Sequence, residues 1–122
     1  MASDEAFLDT AFHAHTEWKV KLRSAIAKKE TIDAKIVSAD SQCALGKWLH
    51  GEGKLKYGKL SAFSECVSSH AAFHKAAGEV ARAISAEKFE EASKLLDAGT
   101  PFSIASTEVG LALAALKTKT QP

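Results

Sequence analysis

The chain has 122 residues, 46% apolar and 25% charged, which suits one folded domain around one core and not comfortably two. A formal net charge of +1, with no basic block, argues against a nucleic-acid partner. The longest uncharged stretch, residues 98–107, is too short and too polar to cross a bilayer, so no membrane role is expected.

The N-terminus, Met-Ala-Ser-Asp-Glu-Ala-Phe-Leu, has neither a basic n-region nor an apolar h-region, so nothing marks it for secretion and the cytoplasm is the default compartment. In that compartment the two cysteines, Cys43 and Cys66, point to metal binding or redox chemistry rather than to a bridge. Only two prolines interrupt a composition dominated by good helix formers. The first helix is predicted over residues 4–29, with Leu8, Phe12, His15, Leu22 and Ile26 on its apolar line and Trp18 flanking it. His15 lies seven residues from both Leu8 and Leu22 and so points toward the core. Residues 30–40 read as a connection with a short turn or weak helix. Asp40 or Ser41 then caps a short second helix carrying Cys43, Leu45, Trp48 and Leu49, which Gly51 and Gly53 end.

A long third helix follows Tyr57-Gly58 and reaches about Ser85, with the stripe Phe63, Val67, His70, His74, Ala77, Ala81 and Ile84. The fourth spans residues 87–117, and Pro101 kinks it or splits it in two. Residues 117–122 read as a frayed tail. Short connections between long amphipathic helices predict an all-α antiparallel four-helix bundle with a short Cys-bearing second helix, one domain over 1–122. Its motif region is 4–85 and its C-terminal helix 87–117.

The chemistry is concentrated in four residues. His70 and His74, in His-Ala-Ala-Phe-His, are one helical turn apart and project from one face. A lone histidine on an apolar face is ordinarily satisfied by a carbonyl or hydroxyl. Three of them on core stripes would bury several ring nitrogens together, at about 1–3 kcal/mol for each left unpartnered, and a shared metal answers all three at once. A cysteine thiolate at a helix start completes the set, because the helix N-terminus favours negative charge there. His15, Cys43, His70 and His74 thus predict a closed tetrahedral shell for Zn2+ that pins three helices together.

The remaining candidates are weaker. His13 and Glu17 form a His-x-x-x-Glu pair, but with no second pair and no Glu-x-x-His a di-iron site is not expected. His50 reads as solvated near the glycine-rich turn. Cys66, one turn before His70, reads as a small buried thiol, with a spare-ligand or resolving-thiol role as the alternative. Trp18 and Trp48 read as core or wall residues around the site, and Gly46 as a point of close backbone approach.

The series His15-x-x-Trp18, Cys43-x-Leu45-Gly46-x-Trp48 and His70-x-x-x-His74 resembles the signature of the chemoreceptor zinc-binding (CZB) domain family. The resemblance implies a bacterial cytoplasmic sensory four-helix bundle, commonly dimeric, that binds zinc through these three histidines and one cysteine. Such domains usually sit at one end of a chemoreceptor or a diguanylate cyclase. Zinc, or oxidation of the zinc-bound cysteine by hypochlorous acid, changes output by moving the cysteine segment, which makes Cys43 the mobile and oxidisable ligand. The chain carries no signalling coiled coil, cyclase domain or membrane anchor, so a stand-alone member acting on a partner in trans is expected, or else a fragment. The competing expectation is a non-sensing structural zinc bundle that serves dimerisation or protein interaction. An enzyme is not expected, because four protein ligands leave no open metal position and no base beside it.

Overall fold

The computed structural model describes residues 4–39 and 43–120, and among them it has seven helices and no strand. They are α1 (Asp4–Lys28), α2 (Ala34–Ser38), α3 (Ala44–Leu49), α4 (Glu52–Tyr57), α5 (Ser61–Ser85), α6 (Phe89–Leu95) and α7 (Pro101–Thr120). Three of them are long, α1, α5 and α7, and carry most of the core: Leu8 and Leu22 from α1, Phe73, Val80 and Ile84 from α5, Phe102, Leu113 and Leu116 from α7. The side chains of α1 that face α7 pair its beginning with the other's end, Leu8, Asp9 and Phe12 lying against Leu113, Ala114 and Lys117. Arg23, late in α1, meets Asp97 at 3.6 Å. The α5–α7 groove has the same sense: Lys75 and Glu79 lie beside Pro101 and Ile104, Glu65 and Ser69 beside Leu111 and Ala115. Both α1 and α5 therefore run antiparallel to α7.

Two long helices end without glycine. Lys29 has φ 55° and Glu87 has φ 62°. In each case the next residue folds its N–H back onto the helix, Glu30 to the Ala25 carbonyl and Lys88 to the Ala83 carbonyl, both at 2.9 Å. That closes the last turn and reverses the chain.

The last predicted helix, 87–117, divides in the structure. Gly99 takes φ 84°, a conformation suited to glycine. The Thr100 hydroxyl then accepts from the Ser103 N–H at 3.3 Å, and Pro101 occupies the first helical position, where its missing N–H costs nothing. Helix α7 continues to Thr120, so residues 117–120 are ordered helix rather than frayed tail.

The segment between α1 and α5 differs most from expectation. The weak helix expected in 30–40 is α2, capped by Asp33, whose carboxylate accepts from Lys35 N at 2.9 Å. Asp40 and Ser41, expected as caps of the next helix, lie outside the described residues; the residue seen at the N-cap is Cys43 itself. Gly51 follows α3 as expected, but Gly53 does not end a helix: it lies inside α4, buried where a Cβ would meet the Trp48 ring at 2.5 Å. Trp48 thus packs flat on α4, and beside it stand Phe7 (5.5 Å between ring centroids), Tyr57 (5.9 Å) and Phe63 (6.3 Å). This aromatic cluster ties α3 and α4 to the beginnings of α1 and α5.

Candidate metal centre

The four predicted ligands arrive from three elements. Helix α5 presents His70 and His74 one turn apart, with ring centroids 4.5 Å from each other. From α1, His15 reaches in at 5.0 Å from the His70 ring and 5.6 Å from the His74 ring. Cys43 stands at the N-cap of α3, where the Gly46 N–H donates to its sulfur at 3.3 Å. One ligand atom from each of the four residues lies within 4.8 Å of all the others. The histidines are 5%, 1% and 2% exposed, and Cys43 is half-buried.

The ring nitrogens can be assigned from their partners. His15 Nδ1 lies 2.8 Å from the Ala11 carbonyl and His74 Nδ1 2.8 Å from the Val37 carbonyl. A carbonyl can only accept, so both Nδ1 atoms carry the proton and both Nε2 lone pairs are available. His74 Nε2 is 3.6 Å from Cys43 Sγ, and His70 Nε2 is 3.2 Å from it. A tetrahedral shell with Zn–N near 2.0–2.1 Å and Zn–S near 2.3 Å sets nitrogen and sulfur about 3.6 Å apart. These contacts already have that scale.

Two buried nitrogens, His15 Nε2 and His70 Nδ1, have no hydrogen-bond partner among the described residues. Burial, opposed by the Ala11 carbonyl, lowers the His15 pKa, and burial together with the charges of His74, His15 and His50 pushes His70 down to about 3. Neutral imidazole is the form that coordinates a metal. The buried His15 Nε2 lone pair without a partner, the outer N–H groups of His15 and His74 held by carbonyls, and a thiolate donor together fit Zn2+.

Other predicted residues stay outside the cluster. His13 is exposed and 3.9 Å from Asp9, and Glu17 is also exposed. His50 is exposed at the C-cap of α3. Cys66 is fully buried, its thiol pushed up to about 12 by burial, which makes it an inert apolar group at neutral pH. Trp18 is half-buried with the Lys21 ammonium 5.0 Å above its ring, and Trp48 belongs to the aromatic cluster.

Two contributors escaped the sequence reading. Phe73 is fully buried with its ring 5.2 Å from His15 and 5.6 Å from His74, and forms the apolar wall of the cluster. Its position three residues after His70 was the available signal. The Val37 carbonyl, as a backbone group, had none.

The fold and the cluster define a helical metal-binding domain. A family model for the chemoreceptor zinc-binding domain matches residues 15–81, more than half of the chain and inclusive of all four clustered residues, and the chain belongs to that family. No curated protein and no solved structure matches it. No helix among the described residues is long and apolar enough to cross a membrane.

Proposed function

We propose that the chain is a zinc-binding sensory and regulatory domain of bacterial signalling, with His15, Cys43, His70 and His74 as the four ligands. The observation that carries this reading is the convergence of three buried imidazoles and one thiol within 4.8 Å. Bound Zn2+ would supply a Lewis-acidic centre that holds the four donors in a closed shell. The chain's own part is to keep the imidazoles neutral, to hold the outer protons of His15 and His74 on carbonyls, and to exclude water with Phe73. In this reading the helices form one antiparallel four-helix bundle, with α2–α4 together in the place of the second helix and α6–α7 in that of the fourth.

Cys43 is the ligand through which the site opens. Its thiolate reacts with hypochlorous acid to give a sulfenic acid and chloride, a two-electron oxidation that leaves a neutral, poorer donor. Release of Cys43 frees α3 and uncovers the apolar surface around Leu45 and Trp48, which a second copy or a chemoreceptor or diguanylate cyclase acting in trans reads as a population shift. The domain works in the cytoplasm, as a homodimer and without catalysis.

The depth at which the histidines are buried supports a second reading, a structural zinc bundle for dimerisation that senses nothing. Zinc then raises the melting temperature with no change in partner binding. The test of the first reading is a zinc competition titration on wild type and Cys43→Ala. Affinity should fall by more than about tenfold while helicity by circular dichroism is kept. Equal affinity removes Cys43 from the site and from the switch.

A further inference from the structure

Helix α2 lies along α5 in an antiparallel register with three fixed points. The Ser85 hydroxyl donates to the Ile32 carbonyl at 2.6 Å. Ser38 sits on Gly78 so closely that a Cβ on Gly78 would meet Ser38 Cβ at 2.5 Å and its Cα at 3.1 Å. At the third point, His74 donates its Nδ1 proton to the Val37 carbonyl at 2.8 Å. Gly78 is one turn beyond His74 on the same face of α5, so the residue that touches Ser38 sits beside the residue that bonds to Val37.

In so short a helix almost every carbonyl belongs to the last turn, beyond the regular helical ladder, and needs a cap, a side chain or an outside donor. The Asp33 carbonyl takes the Val37 N–H, the Lys35 carbonyl the Ser38 hydroxyl, and the Ile36 carbonyl the Ala39 N–H. The Val37 carbonyl is left for an outside donor, and His74 supplies it.

We propose that α2 is a positioning element for the metal centre: Gly78 and Ser38 seat the Val37 carbonyl so that it holds His74 as the Nδ1–H tautomer, with Nε2 turned toward Cys43. This rests on the zinc assignment made above. Histidine ligands with an anchored outer nitrogen hold a metal more tightly, and loss of such an anchor costs about 10–100-fold in affinity. The absence of a side chain at position 78 is thereby a determinant of zinc affinity, although Gly78 touches no ligand atom.

The experiment uses Gly78→Ala. Alanine is the better helix former, so α5 itself is not weakened, and only the seat of α2 is disturbed. In metal-free protein, ring 15N NMR should show His74 as Nδ1–H in wild type and lose that preference in the variant. Zinc affinity, read by competition with a chromophoric chelator, should fall about 10–100-fold. Adding Ser38→Gly, which removes the Cβ that the alanine meets, should bring affinity back to within about threefold of wild type. A folded Gly78→Ala protein that binds zinc within about twofold of wild type overturns the proposal, as does a metal-free wild type with His74 protonated at Nε2. If Gly78→Ala fails to fold, Ser85→Ala loosens the other end of α2 and should weaken zinc binding by a few-fold; no change in tautomer or affinity again overturns it. A wild type that binds no zinc refutes the ligand assignment and leaves the tautomer result readable on its own.

Discussion

Helix α5 and the segment 33–58 bring their ligands to the same point by opposite means. Helix α5 is 25 residues of unbroken helix whose inner face, Phe63, Cys66, His70, Phe73, His74, Ala77, Ala81 and Ile84, is buried along its length. Its two histidines are placed by the helix itself. The segment 33–58 holds three helices of five or six residues, each too short to persist alone. They are held in place from outside, by Ser85 and Gly78 on α2, by the aromatic cluster around Trp48, and by Asp4, which accepts from the Tyr57 hydroxyl at 2.7 Å. Cys43 stands in this second region. A site with three ligands on long helices and one on a held-down strap has one side that can let go, and it is the side with the oxidisable ligand.

If that contrast is right, removing zinc should act on the two regions unequally. Amide exchange in α3 should speed up by at least about 100-fold on chelation, while the centre of α5 changes by less than about tenfold. Equal acceleration in both would erase the distinction.

Acid strikes the long-helix side instead. His15 and His70 have pKa values lowered in the fold from 6.5. Both stay neutral when folded and take up a proton on unfolding, so stability is full above about 6.5 and falls as the pH drops toward about 3 for His70. His70 costs about 2 kcal/mol by pH 5, when the unfolded chain is protonated there and the fold is not, and His15 acts in the same direction. Melting of metal-free protein over roughly pH 7.5 to 5 should therefore show stability falling steeply on acidification, and a flat profile would mean that these rings are not held neutral. The smallest effect belongs to the strap's outer latch. Tyr57→Phe removes the hydroxyl bond to Asp4 and should cost about 1 kcal/mol in urea unfolding, with zinc affinity unchanged.

The long helices and all four clustered residues were legible because each histidine sits on a stripe of apolar residues at helical spacing, and Cys43 lies in the motif with Leu45, Gly46 and Trp48. The boundaries were less so. Lys29 and Glu87 reverse the chain in a left-handed conformation without the glycine that would have announced it. Pro101 allowed a kink or a break, and the outcome was decided by Gly99 and by the Thr100 hydroxyl. Helix α4 was hidden because Gly53 reads as a stop, whereas it serves as the flat face on which Trp48 lies. The Val37 carbonyl was beyond reach, since every residue carries one and only the register of α2 on α5 selects this one.

X-ray absorption at the zinc edge of the loaded protein tests the central claim most directly. Three nitrogen scatterers at about 2.0–2.1 Å and one sulfur at about 2.3 Å are predicted. A first shell without sulfur, or with an oxygen in its place, would contradict it.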